Sequence, residues 1–334
     1  MKKEEMIEVS VCCYAYNQAK YIRKALDSFV NQKTDFLYEI IVHDDCSTDG
    51  TTEIIKEYQE KYSDIIKPIF ESENKYSKKH EILIEYCLPV INGKYIAFCD
   101  GDDYWVDDYK LQKQHDALEN NPSIMMCVHK TKCTNEDDSF NNIVYPSNKL
   151  KMEEICRVSM DEVNKLYFLD VGFFVHFSSY FVNKKLFDSN SIYYKLPRYC
   201  NDDTRIFLTA ISCSDIYYIG EIMSNRRLLT KDNWNNRFKK LPFEEKLDYS
   251  KKTIEVSAKY NKLTNYRYSK FINYSIYNDL LKIYEKYNVK VNLDYLSDYK
   301  IVFPLLYSLK FDIKYLLYLI SPRIYKKIIH RVRN

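Results

Sequence analysis

The sequence predicts an α/β fold in which a mostly parallel sheet is flanked by helices and followed by a helical carboxy-terminal region. Three observations support this prediction. Segments typical of strands and helices alternate along the amino-terminal third of the chain. Polar and acidic residues follow these predicted strands at their carboxyl ends. Of the 334 residues, 46% are hydrophobic and 29% are charged, which indicates a globular chain with a substantial core.

The composition excludes several classes of protein. The chain has only five glycines, so it lacks the glycine-rich loops of dinucleotide-binding and Walker A proteins. A net charge of +3 gives no indication of nucleic-acid binding. Ten cysteines occur without a C-x-x-C pair, which favours reduced thiols in a cytoplasmic protein. The start, MKKEEMIEV, has no apolar run typical of a signal peptide, and charged residues interrupt the apolar segment 301–320.

The predicted elements of the first part follow from hydrophobic periodicity. Short apolar runs predict strands at 9–13, 39–42, 65–70 and 95–99. Apolar residues at helical spacing predict helices at 21–30, 51–62 and 78–90. Parallel strands joined by helices present their carboxyl ends at one edge of the sheet, where ligands bind in folds of this class.

The later part of the chain has a looser pattern. It predicts strands at 125–129, 171–175, 178–182 and 216–219, a loop at 135–149, and helices at 203–213, 243–260 and 266–287. A change to helical character near 236–242 predicts two regions, 1–238 and 239–334. We expect the first to contain a ligand-binding half at about 1–120 and a second half at about 121–238.

The motif DGDDYW follows the predicted strand 95–99 directly. Asp100 and Asp102 are one residue apart on a turn, so both carboxylates can contact one Mg²⁺ or Mn²⁺ ion, which prefers oxygen ligands. Gly101 between them would let the backbone approach a ligand closely. A solvated acidic turn would give the same motif, and only its place after a core strand favours the metal site.

A second acidic segment, DDCSTDGT, follows the predicted strand 39–42. Turn formation and helix capping explain its serine, threonine and glycine residues. They do not explain Asp44 and Asp45, whose carboxylates could accept a hydrogen bond from the imino N–H of a nucleotide base.

These segments resemble a known family. The blocks SVCCYAYNQAKYIRKALDSFVNQ, EIIVHDDCSTDGT and GKYIAFCDGDDYW are similar, in order and spacing, to the three signatures of family 2 glycosyltransferases. The resemblance covers 7–120 closely and weakens towards Trp234. It implies the GT-A fold, a nucleotide-diphosphate sugar donor, and a place among bacterial enzymes that build capsular, exopolysaccharide or lipopolysaccharide chains.

The resemblance also implies roles at the nucleotide. Tyr14 stands where the family packs against the base, and Asp45 where a carboxylate binds a uracil-type imino group. Asn17 belongs to the same loop and is expected to fix its shape. Asn74 matches a polar position near the donor. UDP is therefore the expected nucleotide, with GDP and dTDP as alternatives.

At the diphosphate, the resemblance implies that Asp100 faces the ribose or the metal and that Asp102 binds Mn²⁺ or Mg²⁺ directly. Asp103 would organise the turn or reach the sugar. Tyr104 and Trp105 would line the sugar site, or belong to the core as large aromatic residues after a strand usually do.

The family's catalytic base is an acid at a helix start before a strand, a pattern that YCNDDTRIFLTAISCSDIYYI matches. Asp203 is the expected base, and Asp202 is the alternative. An acid in the first turn also stabilises a helix, so one of the two could have that role alone. Such a base supports inverting transfer by direct displacement. His176 could approach the acceptor or be structural.

The segment MSNRRLLTKDNW departs from the family pattern. Arg227 and Trp234 align, but Leu229 occupies the place of a histidine that contacts the metal or phosphate in many relatives. Arg227 would then carry more of the diphosphate charge. The absence of a Q-x-x-R-W motif argues against processive synthesis. The first predicted loop has no glycine-rich motif, which argues against a sugar-1-phosphate nucleotidyltransferase. The alternative to a glycosyltransferase is an inactive partner subunit that binds a sugar nucleotide.

The expected acceptor is a glycan or a lipid-linked oligosaccharide, and the expected location is the cytoplasm. Residues 321–334 predict a basic amphipathic helix. This helix would contact the inner face of the cell membrane or dock on its own domain.

Overall fold

The computed structural model describes residues 6–147, 155–169, 175–228, 238–287 and 299. Leu229, Trp234, the tail 321–334 and most of the predicted strand 171–175 lie outside these ranges. Within them, ten strands form one sheet: β1 Ile7–Ala15, β2 Leu37–Asp44, β3 Ile66–Phe70, β4 Tyr95–Asp100, β5 Tyr104–Trp105, β6 Met126–Thr134, β7 Phe140–Tyr145, β8 Ile155–Val158, β9 Phe181–Asn183 and β10 Ile216–Arg227.

The strand order is β3-β2-β1-β4-β9-β6-β10-β5, with β7 paired to β6 and β8 paired to β10. The first four strands are parallel, as the alternating pattern predicts. Further along, β6 and β10 are parallel, whereas β5, β7, β8 and β9 pair antiparallel to their neighbours. The sheet is therefore parallel where the strand–helix alternation is regular and mixed beyond it.

The helices are α1 Ile22–Val30, α2 Thr51–Lys61, α3 Lys110–Glu119, α4 Met160–Phe168, α5 Asp202–Cys213, α6 Phe243–Leu263 and α7 Ser269–Tyr287. The apolar face of α1 shows why its spacing predicts a helix, because Ile22, Leu26 and Phe29 are fully buried. They pack with Val11 and Ile40 of the sheet in one continuous core. None of the helices in the described ranges has both the length and the apolar composition needed to cross a bilayer.

Three predicted elements differ from the structure. The predicted strand 178–182 begins within a 3₁₀ turn, Phe177–Ser179, and only its end belongs to β9. Residues 78–90 do not form one α-helix but a 3₁₀ turn, Tyr76–Lys78, and a π-helix, Leu83–Cys87, in which Leu88 N donates to Leu83 O at 2.8 Å. Leu83 and Cys87 are still buried. The apolar spacing therefore predicts which residues face the core, but it does not distinguish the hydrogen bonds of a π-helix from those of an α-helix.

The prediction of a loop at 135–149 is wrong for its central part, because Phe140–Tyr145 is strand β7 and pairs with β6 as a hairpin. None of its six residues is buried, and its apolar and polar residues do not alternate, so periodicity gives little sign of a strand. The hairpin turn closes where Asn135 N donates to Ser139 O at 2.8 Å.

The chain divides into two compact units, Met1–Val256 and Ser257–Asn334. The boundary predicted near 236–242 stays a prediction, because it falls partly on residues outside the described ranges. Every described candidate site residue lies in the first unit.

Candidate functional site

The carboxyl ends of β1, β2 and β4 meet at one edge of the sheet, as predicted. Asp45 N donates to Ala15 O at 3.0 Å, and Gly101 N donates to Tyr14 O at 2.9 Å. These two bonds hold the segments that follow β2 and β4 against the end of β1. The candidate nucleotide and metal residues are therefore brought together.

Asp45 is 5% exposed, and its carboxylate is bonded to the segment after β3. Oδ1 accepts from Lys75 N at 2.6 Å, and Oδ2 accepts from Tyr76 N at 3.1 Å. Asn74 supports the same contact, since its Nδ2 donates to Asp45 O at 3.3 Å. Asp44 points elsewhere and accepts from Ser47 and Thr52. Of the two adjacent acids, only Asp45 shapes this edge of the site.

Asn17 joins the loop after β1 to the loop after β2. Its backbone N donates to Ser47 Oγ at 2.9 Å, and its Oδ1 accepts from Thr48 N at 2.8 Å. Its φ of 51° lies in the left-handed region, which asparagine tolerates better than most residues. These contacts support the expectation that Asn17 fixes the loop.

Tyr14 packs inwards from this edge. Its ring stacks on Phe177 with the centroids 5.9 Å apart, and its hydroxyl donates to Asp202 Oδ2 at 3.4 Å. Tyr16, two residues later, is 48% exposed, so its ring is more accessible to a ligand than the ring of Tyr14. Sequence analysis missed Tyr16, although an aromatic residue just past the end of a strand was a signal that could have identified it.

The acidic turn after β4 brings three carboxyl groups together. One oxygen from each of Asp100, Asp102 and Asp103 lies within 4.8 Å of the others, so all three could face one ion. Asp103 is buried and organises the turn, because its Oδ1 accepts from Arg227 N at 2.9 Å. His176 Nδ1 lies 3.5 Å from Asp103 Oδ2.

Burial disfavours the charged forms of the three carboxyl groups in the acidic turn. Burial raises the pKa of Asp100 to about 8, and the charges of Asp102 and Asp203 add to this effect. Burial also raises the pKa of Asp102 and, well above its usual range, that of Asp103. Burial holds the pKa of His176 well below its usual value, so this histidine is neutral at pH 7. A divalent cation would favour the charged form of the carboxyl groups.

Two adjacent arginines on β10 have different roles because neighbouring strand residues face opposite sides. Arg227 is already engaged, since its Nη1 donates to Asp102 O at 2.7 Å and its Nε to Asp138 Oδ1 at 2.9 Å. Arg226 is the cation that lowers the pKa of Asp100, Asp102 and Asp203 together. Sequence analysis identified Arg227 and missed Arg226, because alignment to a motif does not show which face each residue takes.

The two acids at the start of α5 also differ. Asp202 accepts from Tyr193 Oη at 2.6 Å as well as from Tyr14, so both of its oxygens are bonded to hydroxyl groups. Asp203 Oδ1 accepts from the backbone N of the next residue, Thr204, at 2.7 Å. Burial raises the pKa of Asp203, while Arg226 opposes the shift. Asp203 also raises the pKa of Asp100. Tyr14 connects the start of α5 to the acidic turn, because its hydroxyl donates to Asp202 and its backbone O accepts from Gly101 N.

The structure requires a glycine at position 101 for a reason other than the predicted close approach of a ligand. A Cβ atom there would lie 2.5 Å from Gln18 Oε1 and 2.6 Å from Ile22 Cδ1, so the close approach is to the loop after β1. Tyr104 and Trp105 are 8% and 3% exposed. Trp105 packs on Phe29, which supports the core role for this pair.

Sequence comparison identifies a family. The profile of Glycosyl transferase family 2 matches residues 10–181, just over half of the chain. An uncharacterised protein of Mycobacterium tuberculosis is 40% identical over 129 residues, 39% of this chain and 36% of that protein. TuaG of Bacillus subtilis, named for glycosyl transfer in teichuronic acid biosynthesis, is 38% identical over 106 residues, 32% of this chain and 40% of TuaG. The chain thus matches well under half the length of these relatives.

Structural comparison confirms the predicted GT-A fold. The crystal structure of Staphylococcus aureus TarS 1–349 in complex with UDP-GlcNAc matches with a TM-score of 0.59 at 18% identity, covering 86% of this chain and 77% of that one. At this identity the likeness establishes the fold alone. Together with the profile match over half the chain, it shows that this chain belongs to the family 2 glycosyltransferases.

Proposed function

We propose that the chain transfers a sugar from a nucleotide-diphosphate sugar to a hydroxyl group of a glycan or lipid-linked oligosaccharide, in the synthesis of a bacterial surface polysaccharide. The observation that carries the proposal is the acidic turn, whose three carboxyl groups lie beside Asp203 at the carboxyl edge of the sheet. The names of the relatives TuaG and TarS support the polysaccharide context. UDP is the proposed nucleotide, since a carboxylate such as Asp45 suits the imino group of uracil.

The residues of the acidic turn fit a divalent cation. Their ligands are all carboxylate oxygens, the type that Mg²⁺ and Mn²⁺ prefer, and burial leaves them short of neutralising charge. Asp102 would bind the ion directly, with Asp100 beside it, while Asp103 stays bonded to Arg227 N. A bound cation would neutralise the charge that develops on the departing nucleoside diphosphate.

Asp203 is the proposed catalytic base. Its carboxylate would accept the proton of the acceptor hydroxyl as that oxygen attacks the anomeric carbon on the side opposite the diphosphate. The new glycosidic bond would form as the bond to the diphosphate breaks, with inversion of configuration. Asp202, held by Tyr193 and Tyr14, would position the first turn of α5.

The nucleotide would lie on the edge formed by Asn17, Asp45 and Asn74. Asp45 keeps lone pairs for a base N–H in addition to its two backbone bonds. Tyr16 offers the exposed ring for stacking, and Tyr14 supports the strand end beneath it.

Of the two arginines, Arg226 is the better candidate for a direct diphosphate contact. Arg227 would contribute to the same region through the turn that it holds.

The proposed location is the cytoplasm, at the inner face of the cell membrane when the acceptor is lipid-linked. Residues 321–334 would supply the contact through their basic amphipathic pattern. The full chain should sediment with anionic vesicles better than a chain ending at residue 320. Equal sedimentation of the two chains would refute membrane binding by this segment.

The first test is release of nucleoside diphosphate from a panel of UDP-, GDP- and dTDP-sugars, with and without Mn²⁺. We expect metal-dependent release from a UDP-sugar, lost in Asp102→Ala. Asp108→Ala is the matched control, because Asp108 lies in the same segment but pairs with exposed Lys33 at 2.9 Å. If a donor binds but no nucleoside diphosphate is released, even with a lipid-linked acceptor present, the role of an inactive sugar-nucleotide-binding partner subunit replaces the proposal.

A further inference from the structure

Arg227 ties strand β10 to the acidic turn. Its backbone N donates to Asp103 Oδ1 at 2.9 Å, and its Nη1 donates to Asp102 O at 2.7 Å. The guanidinium lies against two aromatic rings, with its central carbon 4.7 Å from the Tyr104 centroid and 5.1 Å from the Tyr21 centroid. The side chain is 3% exposed, so its charge is removed from water.

The carboxylate that neutralises this buried charge comes from the β6–β7 hairpin turn. Asp138 Oδ1 accepts from Arg227 Nε at 2.9 Å, and Asp138 Oδ2 accepts from Lys24 Nζ at 2.8 Å. Asp138 therefore lies between a buried arginine beside the acidic turn and a lysine on α1. The hairpin turn is far in sequence from the family's signature segments and carries none of their motifs.

Removal of the Asp138 charge would leave the guanidinium without its carboxylate partner. A buried unpaired charge is costly, so the side chain would turn towards another acid. Asp102 is within reach, because Arg227 Nη1 already donates to the backbone O of this residue at 2.7 Å. An Arg227–Asp102 ion pair would occupy the carboxylate that the proposed cation needs.

We propose that Asp138 is a positioning residue that holds Arg227 on the backbone of the acidic turn and thereby keeps the Asp102 carboxylate available for a divalent cation. This inference rests on the proposed function, because it assumes that the acidic turn binds the cation. It assigns to the β6–β7 hairpin a part in metal binding through Arg227, with no contact of its own to the ion.

The test is the dissociation constant of Mn²⁺, measured without donor by electron paramagnetic resonance of the free ion. We expect Asp138→Asn to weaken binding about 10- to 100-fold, as loss of a residue that orients a metal ligand does. Asp137→Asn is the matched control, since Asp137 lies on the same turn and its Oδ1 accepts from Ser139 N at 3.0 Å and from Ser139 Oγ at 2.6 Å. It should leave the dissociation constant unchanged, and Asp138→Glu should retain most of the affinity.

The double variant Asp138→Asn/Arg227→Met separates competition from general damage. Methionine keeps an apolar stem between Tyr21 and Tyr104 and removes the unpaired charge, so we expect Mn²⁺ affinity to recover towards that of the unmodified chain. The double variant also serves if Asp138→Asn alone does not fold, because the buried charge is then absent.

The outcomes distinguish the inference from the function on which it rests. If the unmodified chain binds neither Mn²⁺ nor Mg²⁺, the proposed metal site fails and the inference fails with it. If the unmodified chain binds Mn²⁺ and Asp138→Asn binds it equally well, only the inference fails. A double variant that binds as weakly as Asp138→Asn, or that does not bind, would also overturn it.

Discussion

The two ends of the candidate site differ in how their polar groups are satisfied. At the nucleotide edge, formed by Asn17, Asp45 and Asn74, side-chain oxygens and nitrogens are bonded to backbone groups of neighbouring loops. In the acidic cluster, formed by the acidic turn and Asp203, carboxyl groups face one another and burial raises their pKa values. At the first end the polar groups find their partners within the protein, whereas at the second end the arginine charges offset the effect of burial on the carboxyl groups only in part.

Because of this difference, mutations at the two ends should change the stability of the chain in opposite directions. Loss of a residue from the nucleotide edge removes hydrogen bonds that the folded chain makes by itself, so it should reduce stability and donor binding together. Loss of a carboxyl group from the acidic cluster removes a group that the folded chain tolerates poorly, so it should abolish activity while raising stability. Mutations at the two ends can therefore be told apart by melting temperature as well as by turnover.

The largest effect is expected at Asp203. Asp203→Asn removes the proposed base but keeps the size of the side chain, so kcat should fall about 10²- to 10⁴-fold with little change in donor KM. Asp202→Asn should instead lower the melting temperature, because it weakens the bonds to Tyr193 and Tyr14. Steady-state kinetics and thermal melting of both variants measure these effects. A larger loss of kcat in Asp202→Asn would reassign the base.

The next effect concerns pH. Because the pKa of Asp100 is raised to about 8 in the folded chain, this carboxyl stays protonated where the unfolded chain has lost its proton. Its contribution to stability therefore falls as pH rises from the ordinary range of an aspartate to about 8, and then levels off. In EDTA near pH 8, Asp100→Asn should have a higher melting temperature than the unmodified chain. At about pH 5 the difference between the two melting temperatures should be smaller. An equal difference at both values would contradict the raised pKa.

Sequence reasoning located the acidic cluster because its acids lie at or beside the ends of regular elements. Asp100 follows a buried strand, and Asp203 opens a helix whose apolar face is clear. The parallel half of the sheet was predictable for the same reason. The β6–β7 hairpin turn with Asp138 was not, because no residue of β7 is buried and the ion pair of Asp138 with Arg227 joins segments far apart in the sequence.

The roles of neighbouring residues were harder to predict than their location. Tyr14 and Tyr16 differ in how far they reach beyond the strand end, and Arg226 and Arg227 differ in the face they take. A motif fixes the position of such residues along the chain, but the local course of the backbone decides which of them meets a ligand.

A smaller effect is expected at the nucleotide edge. Asp45→Ala removes two bonds from a carboxylate to backbone N–H groups, so the free energy of unfolding should fall by about 3 kcal/mol and donor KM should rise. Asp44→Ala is the comparison, because the Asp44 carboxylate accepts from Ser47 of the loop after β2 and from Thr52 of α2, so its loss should lower stability without a matching change in KM. Chemical denaturation and donor titration give both quantities. A stability gain in Asp45→Ala would remove the contrast between the two ends.

The smallest effect on stability is expected at Gly101, where the nucleotide edge and the acidic cluster meet. A methyl group at Gly101 would meet the ends of the Gln18 and Ile22 side chains, which can move, so Gly101→Ala should cost about 1 kcal/mol. The same substitution at Gly93 would meet backbone atoms of Val9 and Ser10 at 2.7 and 2.5 Å, which cannot move, so it should cost more. Because Gly101 carries the acidic turn, its small shift should still weaken Mn²⁺ binding, whereas Gly93 lies at the opposite end of β4. Thermal melting and Mn²⁺ titration of the two variants would show whether the geometry of the turn, independently of its stability, sets the affinity of the acidic cluster.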